Sequence, residues 1–254
     1  MKRWTAISLG LLFACALLFS GPFRPVAHAF KLLGNGDKSP RVIVVLVDMS
    51  GSTNKARRTV YNEAFDKIYE NLQQGDRLVI GTITSNSYID FKPVVDAEIP
   101  KQSIWVNRIQ YEQNVAKTRK EIRKEVDGLL SQRKGTQYTE ILNSLNIADT
   151  IFHSEKRRKI LVILSDMMQD SKEYRFERVR ITESFTRELI RQRKRQNLVP
   201  NLAEVKIYVA GASAANSKKF RSIERFWAHY FDASGADYST HRYGHSLLEF
   251  EKET

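Results

Sequence analysis

Cysteine is nearly missing from this sequence: Cys15 is the single one in 254 residues. One cysteine cannot close an intrachain disulfide, and no paired Cys or Cys/His spacing exists for structural zinc. Glycine (12) and proline (6) are also few, which excludes collagen-like and low-complexity chains. Disorder along the whole chain is excluded from the other side, because a 42% hydrophobic content is enough to bury a core. No GxSxG elbow occurs, and no cysteine lies beyond residue 15, so serine-elbow and thiol chemistry both lack their nucleophile. The close glycine pair Gly34-x-Gly36 precedes the first strand-like run instead of following it, which is the wrong place for a phosphate loop. Acidic residues are the minority, 29 against 41 Lys and Arg, for a net charge of +12.

What is present begins with a leader. Lys2 and Arg3 are followed by an uncharged apolar run from Ile7 to Phe19, and Ala27-His28-Ala29 has the small-x-small form of a cleavage site. This layout predicts a signal peptide over 1–29, a linker over 30–40 and an exported, periplasmic or secreted domain over 41–254. The alternative is an uncleaved segment anchoring the chain in the membrane, although the run is short for a span of about 20 residues. Cys15 within Leu12-Phe13-Ala14-Cys15 fits a lipidation signal poorly, because the apolar run continues past it. Loss of Lys2, Arg3 and Arg24 with the leader leaves 38 basic and 29 acidic residues, a net charge of +9 and no cysteine. An exported domain without disulfides depends on its core.

Beyond residue 40, apolar runs alternate with amphipathic segments. Arg41 to Asp48 (RVIVVLVD) is a continuous β-branched run, the pattern of a strand covered on both faces. Further strands are predicted over 77–84, 88–95 (at an edge), 159–165 and 204–210. Helices are predicted over 54–73, 103–131, 140–152, 176–196 and 217–231, from apolar residues recurring three and four apart. The alternation predicts an α/β fold: a doubly wound, mostly parallel central sheet with helices on both faces.

Open α/β sheets bind ligands beyond the carboxyl ends of their strands. There the first run delivers Asp48-Met49-Ser50-Gly51-Ser52, the fourth delivers Ser165-Asp166, and Gly135-Thr136 stands just before a helix. Carboxylates with hydroxyls and no soft donor make a hard oxygen site suited to Mg²⁺ and unsuited to zinc or copper. Asp48-x-Ser50-x-Ser52 at a strand end, with Gly135-Thr136 and Asp166 following in order, resembles the signature of von Willebrand factor type A domains, over roughly residues 40–235. The resemblance implies a metal-ion-dependent adhesion site holding Mg²⁺, or Mn²⁺ or Ca²⁺. Ser50, Ser52 and Thr136 would be hydroxyl ligands, Asp48 and Asp166 would stand close by, often acting through water, and one position would be left for an acidic residue of a protein partner. The chain departs from the pattern at Met167, where many relatives have glycine after the aspartate; a side chain there would narrow access to the metal. Thr139 is a rival to Thr136. For either serine alone, capping of the helix from residue 54 is a sufficient explanation, but capping does not account for three separated segments.

Other readings compete. A haloacid-dehalogenase-like phosphatase also opens with a strand ending in an aspartate, and Thr84, Asp166 and Asp170 could serve its remaining roles. The general acid of such enzymes sits two residues after the nucleophile, and here that residue is Ser50, which is not a carboxylic acid. A structural α/β domain without metal is the third reading. Binding, not enzymatic turnover, is the expected activity. His241 and His245 are read as surface residues. The basic helix, with Arg187, Arg191, Arg193, Lys194 and Arg195, is either a solvated face or a contact for an acidic protein, anionic lipid or wall polymer. Export argues against nucleic acid as the ligand.

Overall fold

The eight residues of β1 (Arg41–Asp48) are buried without exception, because both faces of this strand are covered. In the computed structural model, residues 39–50, 55–85, 91–132 and 137–251 are described, all within one unit, Ser39–Thr254. The leader over 1–29 and the linker up to residue 38 lie outside them. β1 is the middle of a five-stranded sheet of order β3-β2-β1-β4-β5, with β2 at Arg77–Ile83, β3 at Val95–Glu98, β4 at Arg158–Leu164 and β5 at Val205–Ala210. β1 runs parallel to β2 and β4, and β4 to β5; β3 alone is antiparallel. The fold is therefore α/β with a mostly parallel, doubly wound sheet.

Alternation along β1 separates the two cores. Ile43, Val45 and Val47 meet Tyr61, Phe65 and Ile68 of α1 (Lys55–Glu70) and Ile122, Val126 and Leu129 of α2 (Arg108–Ser131). Val42, Val44 and Leu46 meet α3 (Ile141–His153), α4 (Glu183–Arg195) and α5 (Ser217–Ala233). Helices thus cover both faces, which is why the parallel strands read as unbroken apolar runs. Under β1, the buried Arg41 donates to Asp76 from its backbone N–H (2.8 Å) and its guanidinium, and to the Asn71 carbonyl, so the charge is paired where water is excluded.

Two elements differ from the sequence reading. The edge strand occupies 95–98, not 88–95; residues 86–90 lie outside the described set. Pro93 has no N–H to give the ladder, and pairing begins where the Val94 N–H donates to the Ile80 carbonyl at 2.7 Å. The fourth helix begins at Glu183, not 176. Thr182 caps it, its hydroxyl accepting from the Phe185 N–H at 3.2 Å. Phe176 instead plugs the core edge-on to Phe226, ring centroids 4.6 Å apart, and lies beside Trp227.

Candidate functional site

The strand order reverses at β1. From there the chain winds one way to β2 and the other way to β4, so the carboxyl ends of β1 and β4 form the topological switch point, where open sheets leave a crevice. Asp48 ends β1 and is fully buried. Its Oδ1 accepts from the Ser50 N–H at 2.9 Å and its Oδ2 from the Ser165 hydroxyl at 2.8 Å. Ser165 also accepts from the Met167 N–H at 3.0 Å, so one hydroxyl ties the first strand end to the loop after the fourth. Asp166 Oδ1 accepts from the Met168 N–H at 2.9 Å, and its Oδ2 pairs with the Arg57 guanidinium at 3.0 Å. The loop is held from behind as well. The Gln169 side chain accepts from the Leu142 N–H at 3.0 Å, satisfying one of the otherwise orphaned donors at the start of α3. Thr139 and Asp170 exchange backbone hydrogen bonds of 2.8 and 3.1 Å.

These segments wall a cavity of about 610 Å³, lined among others by Ser50, Arg57, Thr139, Asp166, Asp170 and Lys219. Asp48, Ser50 and Asp166 are thus brought to one sheet edge. Ser52 and Thr136 lie outside the described residues. Thr139 reaches the cavity, buried and with its backbone engaged by Asp170.

Met167 does not stand over the cavity as the sequence suggested. It adopts φ of +64°, the left-handed region that favours glycine. That turn sends the side chain into the core, fully buried among the residues around Trp227, whose indole N–H donates to the Met167 carbonyl at 2.9 Å. Access to the crevice is therefore not narrowed by this residue.

Three contributors were not legible as such. Tyr61 reads as one more apolar position on α1. Its hydroxyl is buried without a hydrogen-bond partner among the described residues, and burial, reinforced by the negative charges of Asp48 and Asp166, pushes its pKa far above the ordinary value. Gly211 has φ of +95°, and a Cβ there would meet the Tyr61 ring at 2.8 Å and the Ser165 carbonyl oxygen at 3.0 Å. Arg57 reads as one of many basic residues. No sequence signal marks the roles of Tyr61 and Arg57; Ser165 was visible only as a polar strand end.

The donor set suits a hard cation. Asp48, Ser50 and Asp166 supply oxygen only, and the lining contains neither thiol nor imidazole. The buried Tyr61 hydroxyl, orphaned among the described residues, lies in the field of both carboxylates. Among the described residues no three His, Cys, Asp or Glu side chains cluster as a metal site, so any ion here depends on hydroxyls as well as on the two carboxylates. His241 and His245 are exposed, on and just beyond a short 3-10 turn at Thr240–Arg242.

The basic helix is a second surface. Arg187, Arg191, Lys194 and Arg195 are exposed and line a groove of about 780 Å³ shared with His229 of α5. Arg187 pairs with Glu183 at 3.5 Å, and Glu188 takes both Arg191 and Arg195. Arg193 is a correction. It is 3% exposed, and its guanidinium donates to the Tyr230 hydroxyl (3.1 Å), the Asn143 side chain (3.1 Å) and the Leu198 carbonyl (3.0 Å). It turns inward within the last turn of the helix and is unavailable to a partner.

No family model matches the sequence, and no curated protein matches it. Solved structures similar to the chain include three proteins. One is a von Willebrand factor type A protein from Catenulispora acidiphila, with 14% identity and a TM-score of 0.41 over 78% of this chain and 43% of that one. Another is the manganese-loaded TRAP protein of Plasmodium vivax, with 15% identity and a TM-score of 0.40 over 73% and 62%. The third is the pilus adhesin SpaC of Lactobacillus rhamnosus GG, with 15% identity and a TM-score of 0.41 over 83% and 29%. The chain thus spans less than two thirds of the length of each, and the functional reading rests on the residues at the strand ends.

Proposed function

We propose that the chain is a von Willebrand factor A-like binding module that holds a divalent cation at the ends of β1 and β4 and recruits an acidic residue of a partner protein. The observation that carries this reading is convergence: Asp48, Ser50 and Asp166, from segments more than 110 residues apart, meet at the switch point and offer oxygen donors only. When bound, a divalent cation such as Mg²⁺, Mn²⁺ or Ca²⁺ supplies a positive centre with a coordination position open to a carboxylate. Ser50 N–H and Ser165 hydroxyl orient the Asp48 carboxylate, as outer partners orient metal-site groups generally. Arg57 neutralises Asp166 and has to release it for that carboxylate to serve an ion. Ser52 and Thr136 complete the proposed hydroxyl set. The basic face of Arg187, Arg191, Lys194 and Arg195 would add long-range attraction for an acidic surface, weakening with salt.

The test is calorimetric titration of Mn²⁺ and Mg²⁺ into the wild-type chain and Asp48→Asn. The amide preserves size and one acceptor and removes the charge. We expect affinity to fall by about tenfold or more with an unchanged circular dichroism spectrum. Equal affinity in the variant would remove Asp48 from the site, and no binding by either would leave the structural α/β reading. Turnover of a generic phosphate ester by the loaded chain would favour the phosphatase instead. Capture of the same partner from the native host in Mg²⁺ and in chelator alike would show that binding bypasses the cation. The functional setting we propose is outside the cytoplasm, from the leader over 1–29. No helix among the described residues is long and apolar enough to cross a membrane. Mass spectrometry of the native protein should find Phe30 as its first residue; a dominant species retaining Met1 would reject cleavage.

A further inference from the structure

α2 is longer than the fold needs. Its 24 residues rise about 36 Å at 1.5 Å each, yet its buried side chains begin only at Ile122, and no residue from Lys101 to Glu121 is buried. The half without buried side chains is tied down by Arg119, which donates to the Tyr69 and Leu72 carbonyls, and carries apolar side chains at its far end: Ile104 is 92% exposed, Trp105 88% and Ile109 70%. Scattered single apolar residues are ordinary on a surface, but three within six positions on a projecting end are not.

The end is ordered. The Trp105 N–H donates to the Ser103 hydroxyl at 3.3 Å, the Val106 N–H to the Ser103 carbonyl at 3.1 Å, and the Asn107 side chain caps the helix by accepting from the Gln110 N–H at 2.8 Å. Nor is Ile109 a displaced core residue. At about 100° per residue it lies about 220° around the helix from Ile122, on the side turned away from the sheet. Lys120, Lys124 and Lys117 are exposed and fall within about 20°, 60° and 80° of Ile109 on that same side. The acids nearest to it are paired, Glu112 with Arg108 at 2.7 Å and Asp127 with Arg123 at 3.0 Å. Across 101–120 there are five basic residues and one acidic one.

We propose that this end of α2 is a membrane-contact element: Ile104, Trp105 and Ile109 enter the headgroup layer of an anionic bilayer, and the lysines behind them bind its phosphates. The chemistry matches from point to collar. Tryptophan and isoleucine at an exposed tip suit the boundary between headgroups and acyl chains, which interfacial elements enter by about 5–10 Å. Lys117 and Lys120 follow Ile109 by about 12 and 17 Å along the axis, so they stand at the membrane surface when the tip is seated and their long side chains reach back toward the phosphates. The groove beside Ile109, about 520 Å³, is lined otherwise by Asn107, Arg108, Gln110 and Gln113, polar and cationic side chains that suit headgroups, and the excess charge of the tip is positive, opposite to anionic lipid. This surface is separate from the switch-point crevice and does not depend on a cation there.

The experiment uses the full chain carrying Trp4→Phe, so that emission comes from Trp105 and the buried Trp227, with a Trp105→Phe companion to subtract the latter. Vesicles of phosphatidylglycerol and phosphatidylcholine bear brominated acyl chains, which quench only by contact, so the signal reports the tip however the rest of the chain is held. We expect Trp105 emission to shift to the blue and to fall by about half or more, and Lys117→Glu with Lys120→Glu to cut that quenching at least about twofold at equal lipid. Unquenched Trp105 emission, or equal quenching on pure phosphatidylcholine, would overturn the proposal. So would a Trp105 already shielded from acrylamide in lipid-free protein, which would mean that the chain's own N-terminal residues or a second copy cover the tip. Binding to a protein partner with no lipid quenching would assign the surface to that partner.

Discussion

Met167 is a large apolar side chain in a backbone conformation that favours glycine. The left-handed region costs a non-glycine residue about 1–2 kcal/mol, and burial of the side chain beside Trp227 offsets it. The two contributions can be separated. Met167→Ala keeps the strain and empties the pocket, at a cost of about 2–5 kcal/mol. Met167→Gly empties the same pocket and relieves the strain. We therefore expect Met167→Gly to be more stable than Met167→Ala by about 1 kcal/mol in urea denaturation, the reverse of the usual ranking of these residues in regular structure. Equal or inverted values would place the strain elsewhere. The same conformation bears on the site, because the turn that buries Met167 is the one that leaves Asp166 at the crevice.

At the scale of an element, α4 shows how one helix can serve two masters. Its exposed side carries Arg187, Arg191, Lys194 and Arg195, and its inner side is fastened by Arg193, which joins α4 to Asn143 of α3, Tyr230 of α5 and the Leu198 carbonyl. Removing a buried charged donor leaves those acceptors unmatched, so Arg193→Ala should cost about 3 kcal/mol. Arg193→Lys should recover only part of it, since an ammonium cannot reach separated acceptors as the guanidinium fork does. Arg187→Ala should stay within about 0.5 kcal/mol, its pair with Glu183 being solvent-exposed. Chemical denaturation of the three variants decides this. An Arg193→Ala protein as stable as Arg187→Ala would mean that the inward network contributes nothing.

For the whole molecule, the far end of the chain is clamped under the sheet. The buried Glu251 carboxylate accepts from Lys206 Nζ and the Tyr208 hydroxyl, both at 3.0 Å, and pairs with Arg158, while Phe250 packs on Tyr208. Burial on its own would raise the Glu251 pKa, but Lys206, Arg158 and Tyr208 together outweigh it and hold the value below the ordinary range. A lowered folded value means that this carboxylate stabilises the fold fully above its unfolded pKa, about 4.3, and loses that contribution as pH falls through the folded value. Glu251→Gln should cost about 2 kcal/mol near neutral pH. The gap in Tm between wild type and variant should stay level down to about pH 4.5 and close below it. A gap independent of pH down to 3 would show that the charge is immaterial and that only the side chain's shape matters.

The order of strands and helices, the burial of β1 on both faces and the convergence of Asp48 with Asp166 were legible in the sequence, because periodicity and strand-end chemistry are local. A strand covered on both sides has no room for polar residues, so RVIVVLVD announces its own environment. Which amphipathic residues face inward is not local. Arg193 sits in a run of exposed bases and becomes core only because α3 and α5 bring acceptors to it. Tyr61 satisfies the apolar stripe of α1, and only the sheet's switch point brings its hydroxyl into the field of two carboxylates. The fourth helix starts late because Phe176 gains more from the aromatic core than from a helical position, and the edge strand starts late because Pro93 has no donor. Composition and pattern determined the layers and the place of the crevice; which side chains line it, and which turn their backs on it, was decided by packing between segments far apart in the chain.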